Sequence, residues 1–227
     1  YFGGMVAAVL ASRYNCESAI GMNPYSMDWQ ALIEHLKETS DVGFSRDTKK
    51  HETCINPQFY ELFLAMTNRI YKDFDPDHVP ADDKVRATIL VDTLHSLIAL
   101  GETVIEINNG NPSGSWLTIF LNIVYNMFLD RVTYLIAVAK LEERGQLLEN
   151  CYHGMRAFKK YVSSVFLGDD AITACDREVG KFFNAKVMAE IAAEFDITIT
   201  DENKKVPTAE LKPVESLGFL SNSTRVV

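Results

Sequence analysis

The run YVSSVFLGDDAITA, residues 161 to 174, sets two adjacent carboxylates, Asp169 and Asp170, at a glycine turn between stretches rich in Val, Ile, Phe and Ala. Each flank is expected to be a short buried strand, which puts the pair at a hairpin tip. Like charges at the bend of a buried hairpin are costly unless a cation neutralises them, and a divalent ion held by carboxylate oxygens does so. Two-metal chemistry on phosphates asks for one more carboxylate, able to bridge ions ~3.5–4 Å apart. Asp47, at the end of the expected strand DVGFSRD (41 to 47), is the candidate. Without a metal, the same residues would be an aspartate starting a turn and a solvated hairpin tip.

A second pattern lies in GNPSGSWLTIFLN, 110 to 122. Ser113 and Gly114 open a long apolar helix, and Thr118 and Asn122, four residues apart, share one of its faces. Such a polar stripe suits a sugar hydroxyl, and the backbone amides of 111 to 114 at a helix N-terminus suit phosphate. The plainer alternative is a helix cap followed by polar residues packed against a neighbour.

Composition narrows the classes. At 227 residues, 47% of them hydrophobic, the chain can bury a sizeable core as one large domain or as a piece of a longer protein. The start at Tyr1 and the strand-like end at Val227 favour the piece. Cys16, Cys54, Cys151 and Cys175 are scattered without CxxC spacing, so free thiols and a reducing compartment are expected, not a structural zinc cluster. The strongest apolar stretch, 117 to 139, is interrupted by Asn122, Asn126, Asp130 and Arg131, which reads as a core helix of a soluble chain. A net charge of −9 lacks the basic footprint usual in nucleic-acid binders.

These residues need a framework. Helical spacing of apolar residues covers 27 to 38, and the strand 41 to 47 follows. Asn56 and Pro57 cap and open a helix whose apolar face runs through Phe59, Leu62, Phe63, Met66 and Ile70. The acidic loop DFDPDHVP precedes a helix over about 82 to 100, a stop at Gly101, and a strand in ETVIEIN. The turn at 108 to 115 launches a helix from Ser115 to about Leu141. A polar connection leads to the carboxylate hairpin, then come a helix over about 177 to 195, a strand at 196 to 200, a charged turn and a hairpin-like segment at 215 to 227. This irregular alternation predicts an α+β fold, an antiparallel sheet backed by helices.

In this order the residues resemble the RNA-dependent RNA polymerases of positive-strand RNA viruses, in particular the picornavirus-like group. DTKKHETCINPQFYEL (47 to 62) is similar to that family's first palm motif and GNPSGSWLTIFLN to its second. FLGDD (166 to 170) is similar to the third, TITDENK (198 to 204) to the fourth with its lysine, and GFL (218 to 220) to the start of the fifth. SAIGMNPYSMDW (18 to 29) resembles the segment that precedes them. Glu52 stands where the first motif usually has Asp, Leu167 where Tyr is common, and Ser221 and Asn222 where basic residues are usual.

The resemblance implies a polymerase palm in two parts, 1–73 and 113–227, around a small fingers-like insertion, 74–112. It implies that Asp47, Asp169 and Asp170 hold two Mg²⁺ ions, with Mn²⁺ able to substitute. Glu52, Ser113, Gly114, Thr118 and Asn122 would bind the nucleotide's ribose, and Lys204 would assist the leaving pyrophosphate. Implied partners are an RNA template and primer strand, NTPs, and the remaining fingers and thumb of the same polyprotein product. The implied location is the host cytoplasm, in membrane-associated replication complexes. A reverse transcriptase, a catalytically silent RNA-binding module derived from a polymerase, and a Mg²⁺-dependent phosphohydrolase are the alternatives. The Ser-Gly-x3-Thr-x3-Asn stripe speaks against the first, and the second would bind RNA without Mg²⁺-dependent incorporation. The third accounts for the carboxylates but for no other motif.

Overall fold

The structure, a computed structural model, describes residues 1–107, 110–111, 114–115, 117–146 and 149–220, without the side chains of Glu52 and Asn150. In chain order it runs α1 (Gly3–Ser12), α2 (Met27–Lys37), β1 (Val42–Thr48), α3 (His51–Cys54), α4 (Pro57–Phe74), α5 (Pro80–Leu94), β2 (Ser96–Leu100) and β3 (Thr103–Ile107). There follow α6 (Thr118–Glu143), α7 (Gly154–Tyr161), β4 (Val162–Leu167), β5 (Asp170–Cys175), α8 (Arg177–Gly180), α9 (Ala185–Ala193), β6 (Ile199–Thr200) and β7 (Lys212–Pro213).

The central sheet has the order β4-β5-β1-β6, with β7 also pairing β1, and every pairing is antiparallel. Successive strand residues face opposite sides, and each side meets a separate apolar layer. Phe44, Val162 and Cys175 pack with residues of α4, α6 and α9 in the larger core, where Phe63, Tyr134, Phe158 and Phe183 are fully buried. Val165, Ile172 and Ala174 face the other way, onto Leu32, Ile33 and Leu36 of α2 and onto Val214, Leu217 and Phe219. The result is an α+β fold of helices on both faces of an antiparallel sheet.

Local signals act as expected at several points. Asn56 Oδ1 accepts from the Phe59 N–H at 3.0 Å and Pro57 takes the first turn of α4. Asn184 caps α9 in the same way, accepting from Val187. None of the four cysteines is joined in a disulfide, and burial pushes the Cys175 thiol up to about 12.

Other expectations need correction. The helix expected to reach residue 100 ends at Leu94, and Ser96–Leu100 pairs with Thr103–Ile107 as a separate two-stranded hairpin. Its turn is Gly101–Glu102, with Gly101 at φ +61°, so Gly101 bends a hairpin and does not stop a helix. The run LHSLIAL is apolar enough for either structure, and the β-branched TVIEI opposite it decides. The helix expected over 177 to 195 is two, broken at Asn184. The polar connection contains α7, the Gly-rich start contains α1, and of the strand at 196 to 200 only Ile199–Thr200 pairs. The long helix begins at Thr118, not Ser115. The last hairpin-like segment is a 3-10 turn, Val214–Ser216, with 221 to 227 outside the described residues.

α6 is long and apolar enough to cross a membrane by length and composition. Twelve of its residues are buried among the other elements of the fold, Asn126, Asp130 and Thr133 among them, as befits a core helix.

β1 and β5 approach closely at Gly43. A Cβ there would lie 2.0 Å from the Thr173 carbonyl oxygen and 2.9 Å from Ala174 Cα. Gly43→Ala in the intact protein is therefore expected to force the strands apart and to cost about 1–3 kcal/mol. An unchanged denaturant midpoint would show that the two strands do not approach as described.

Candidate active site

Antiparallel pairing brings Asp47 opposite Asp170, as Cα partners at the end of the β1–β5 ladder, with Asp169 beside them on the β4–β5 turn. Gly168, at φ +62°, makes that turn possible. Asp47 and Asp170 are half-buried and Asp169 is exposed. Their mutual repulsion shows in the chemistry. Burial, the Asp169 charge and a hydrogen-bonding approach by Asp169 raise the Asp47 carboxyl above its usual range, while Lys204 and Arg46 oppose the shift. Burial, with Asp169 and Asp47 behind it, pushes Asp170 up to about 6, against the opposing effects of the Leu220 N–H and Lys204.

These groups line a cleft of about 560 Å³ together with Glu202, Lys204 and residues 216 and 218 to 220. An adjoining cleft of about 320 Å³ is lined by Asp47, Lys49, Lys50, Asp169 and Lys204. Lys204 is exposed and has a left-handed backbone, φ +60°, in a turn closed by its N–H on the Asp201 carbonyl at 2.9 Å. That turn carries it from a charged surface loop to the carboxylates. Burial alone would push Glu202 up, but a 2.8 Å hydrogen bond from Lys212 holds it below its usual range, and it accepts from Ser45 Oγ at 3.1 Å.

The carboxylates are held in place from behind. On the opposite sheet face from Asp47, Arg46 donates to Asp130 Oδ1 at 2.5 Å, to Asn126 Oδ1 at 2.9 Å and to Thr48 Oγ1 at 3.2 Å. The side chains of Arg46 and Asp130 are both fully buried. Asp130 Oδ2 accepts from Ser164 Oγ at 2.7 Å, and Ser164 lies 3.0 Å from Thr173 Oγ1. Asn126 Nδ2 donates to the Gly168 carbonyl at 2.9 Å. One network therefore joins β1, β4, β5, α6 and the hairpin tip itself.

The polar stripe of α6 is partly as expected. Asn122 and Thr118 lie at one end of the helix, with Asn122 Oδ1 accepting from Asn111 Nδ2 at 2.9 Å. Gly114 is exposed, and a Cβ added there would meet nothing within 4 Å. Ser113 and the Glu52 side chain lie outside the described residues. His51 lies buried beneath this region, edge-on to Tyr125 at 5.2 Å, and burial and Arg46 lower its imidazole to about 4 against the opposing influence of Asp169, Asn122 and Asn126. Neither ring nitrogen has a hydrogen-bond partner of good geometry.

A divalent metal fits this donor set by its chemistry, because the carboxylate oxygens are hard ligands whose charges repel until a cation sits between them. Among the described residues no three His, Cys, Asp or Glu side chains converge as in a closed cage. Mg²⁺ does not need one, since it keeps several waters and is held by one or two carboxylates plus phosphate oxygens. Asp47 and Asp169 supply that number.

Residues 1–226 match the viral RNA-dependent RNA polymerase family, and the chain belongs to it. The whole chain is 30% identical to 10% of the RNA1 polyprotein of Tomato ringspot virus (isolate raspberry). Of the chain, 99% aligns at 27% identity with 12% of the replicase polyprotein of Acute bee paralysis virus. In fold it matches the solved Sicinivirus 3Dpol RNA dependent RNA polymerase with a TM-score of 0.73 at 17% identity, over 98% of this chain and 41% of that one. The chain thus spans about a tenth of these polyproteins and under half of the solved polymerase.

Sequence reasoning missed Arg46, Asn126, Asp130, Ser164 and His51 as residues of the site. The one available signal was the spacing of Asn122, Asn126 and Asp130, which puts three polar groups on a single face of an otherwise apolar helix. Asp130→Ala leaves Arg46 as a buried unpaired charge and is expected to cost about 3–5 kcal/mol. The thermal transition of the full polymerase would reveal this, and a variant that melts with the wild type would show that the pair does not hold the sheet to α6.

Proposed function

We propose that this chain is the palm of an RNA-directed RNA polymerase that extends an RNA 3′-hydroxyl with NTPs on an RNA template during viral genome replication. The observation that carries the reading is the register that sets Asp170 opposite Asp47 at the end of one antiparallel sheet, with Asp169 on the adjoining turn and all three lining one cleft. In this reading Asp47, Asp169 and Asp170 hold two Mg²⁺ ions, or Mn²⁺ in their place. Bound there, the ions would lower the pKa of the attacking hydroxyl and neutralise the charge that develops on the departing pyrophosphate.

The chain's own groups do the rest. Lys204 brings positive charge, or a proton, to the leaving group from the side of the cleft it shares with Asp47 and Asp169. Thr118 and Asn122, with Ser113, Gly114 and Glu52, bind the ribose and test for its 2′-hydroxyl, which separates RNA from DNA synthesis. Sequence choice falls to base pairing with the template. The palm takes residues 1–73 and 113–227, and 74–112, which contains the separate β2–β3 hairpin, is a fingers-like insertion. Fingers and thumb of the same polyprotein product supply the basic channel that a chain of net charge −9 lacks. The setting is a membrane-associated replication complex in the host cytoplasm.

Asp169→Asn in the full polymerase removes a metal ligand and no phosphate contact. It is expected to lower nucleotide incorporation by orders of magnitude with RNA affinity nearly unchanged. Activity within a few fold of wild type would exclude Asp169 as a ligand.

A further inference from the structure

Asn111 lies just ahead of α6 and is 2% exposed. Its segment is pinned on both sides of the adjoining glycine, since the Gly110 N–H donates to the Ile55 carbonyl at 2.9 Å and the Tyr60 hydroxyl donates to the Gly110 carbonyl at 2.8 Å. Asn111 Nδ2 lies 3.1 Å from the Thr118 carbonyl oxygen and 2.9 Å from Asn122 Oδ1. A backbone carbonyl can only accept, so the Asn111 atom facing it must be the NH₂ group. The same NH₂ meets Asn122, so the Asn122 atom facing it must be the oxygen. One carbonyl in the first turn of α6 thus fixes two amides in series. The arrangement leaves Asn111 Oδ1 buried without a partner, a cost that calls for a reason.

We propose that Asn111 is a positioning residue that fixes the Asn122 amide with its oxygen engaged, so that Asn122 offers its NH₂ group, a donor, to the ribose 2′-oxygen. The inference rests on the reading that Asn122 contacts the ribose. It adds the polarity of that contact and the residue that sets it. A site committed to donating leaves that donor unmet when the sugar has no 2′-oxygen, which is how a buried polar group discriminates strongly.

The test uses the full polymerase and the ratio of kcat/KM for an NTP to that for its 2′-deoxy analogue. Asn111→Asp has no N–H to give. It should turn the Asn122 amide over, so that the NH₂ faces the new carboxylate, and lower the ratio by about tenfold or more. Asn111→Leu removes both bonds and should lower it in the same direction. The rate with the correct NTP should fall by less than the ratio does, whereas a merely structural defect would depress both substrates together. Asn122→Ala separates the two claims. A lowered ratio in Asn122→Ala with full discrimination in both Asn111 variants overturns the role of Asn111 alone, and an unchanged ratio in Asn122→Ala overturns the ribose contact and this inference with it. Should the variants fold poorly, the wild-type enzyme still decides, because a 2′-fluoro nucleotide carries an acceptor and no donor. It should be used better than the 2′-deoxy nucleotide, and equal use of the two would overturn the inference.

Discussion

The buried ion pair of Arg46 and Asp130 is the interaction on which the site depends. Both side chains are out of water entirely, so each would be intolerable without the other, and further hydrogen bonds support both charges, leaving the Arg46 Nε as the donor without a partner among the described residues. Asn126 and Thr48 accept from Arg46, Ser164 donates to Asp130, and Thr173 shares a hydrogen bond with Ser164. Because these residues come from β1, β4, β5 and α6, satisfying the charges fixes three strands against one helix. Asn126 then extends the network to the Gly168 carbonyl, so the turn that carries Asp169 is anchored from beneath.

The two-residue period of β1 separates two kinds of charge. Arg46 faces α6, where its charge is paired, and Asp47 faces the cleft, where Lys204 offsets its charge only in part. Asp47 and Asp170 consequently hold their protons more tightly than ordinary carboxylates. Repulsion retained at one end of a sheet whose other charges are matched is the electrostatic feature on which the proposed cation site rests. Lys204 answers part of that charge from a left-handed turn, and Lys49 and Lys50 flank the adjoining cleft.

The sequence makes the chemistry more legible than the scaffold that holds it. Asp47, Asp169 and Asp170 can be found from strand flanks and charge, since a buried hairpin with two carboxylates at its bend asks for a partner. Their convergence on one cleft follows from the register Asp47↔Asp170, which alternation predicts once the two strands are neighbours. The α+β class is also legible, as is the start of α4 from Asn56 and Pro57. The split of 82 to 100 into helix and strand is not, because LHSLIAL has no periodicity to choose between them and its partner strand lies beyond the turn. Nor is the support behind the carboxylates. Asp130 and Arg46 are 84 residues apart, and in the sequence Asp130 shows only as the last of three polar residues spaced four apart in an apolar stretch. Lys204 reads as a solvated surface residue until the turn at Asp201 is folded. His51 and Asn111 carry no signal at all, since their burial depends on tertiary packing.

In the proposed function, Asp47 and Asp169 together hold the ions at which nucleotides react. Its most direct test is a crystal structure of the full polymerase soaked with Mn²⁺ and a non-hydrolysable NTP, with the metal located by its anomalous scattering. The expected result is a peak between the Asp47 and Asp169 carboxylates, in contact with oxygens of the triphosphate. An ordered nucleotide whose metal lies away from both carboxylates would contradict it.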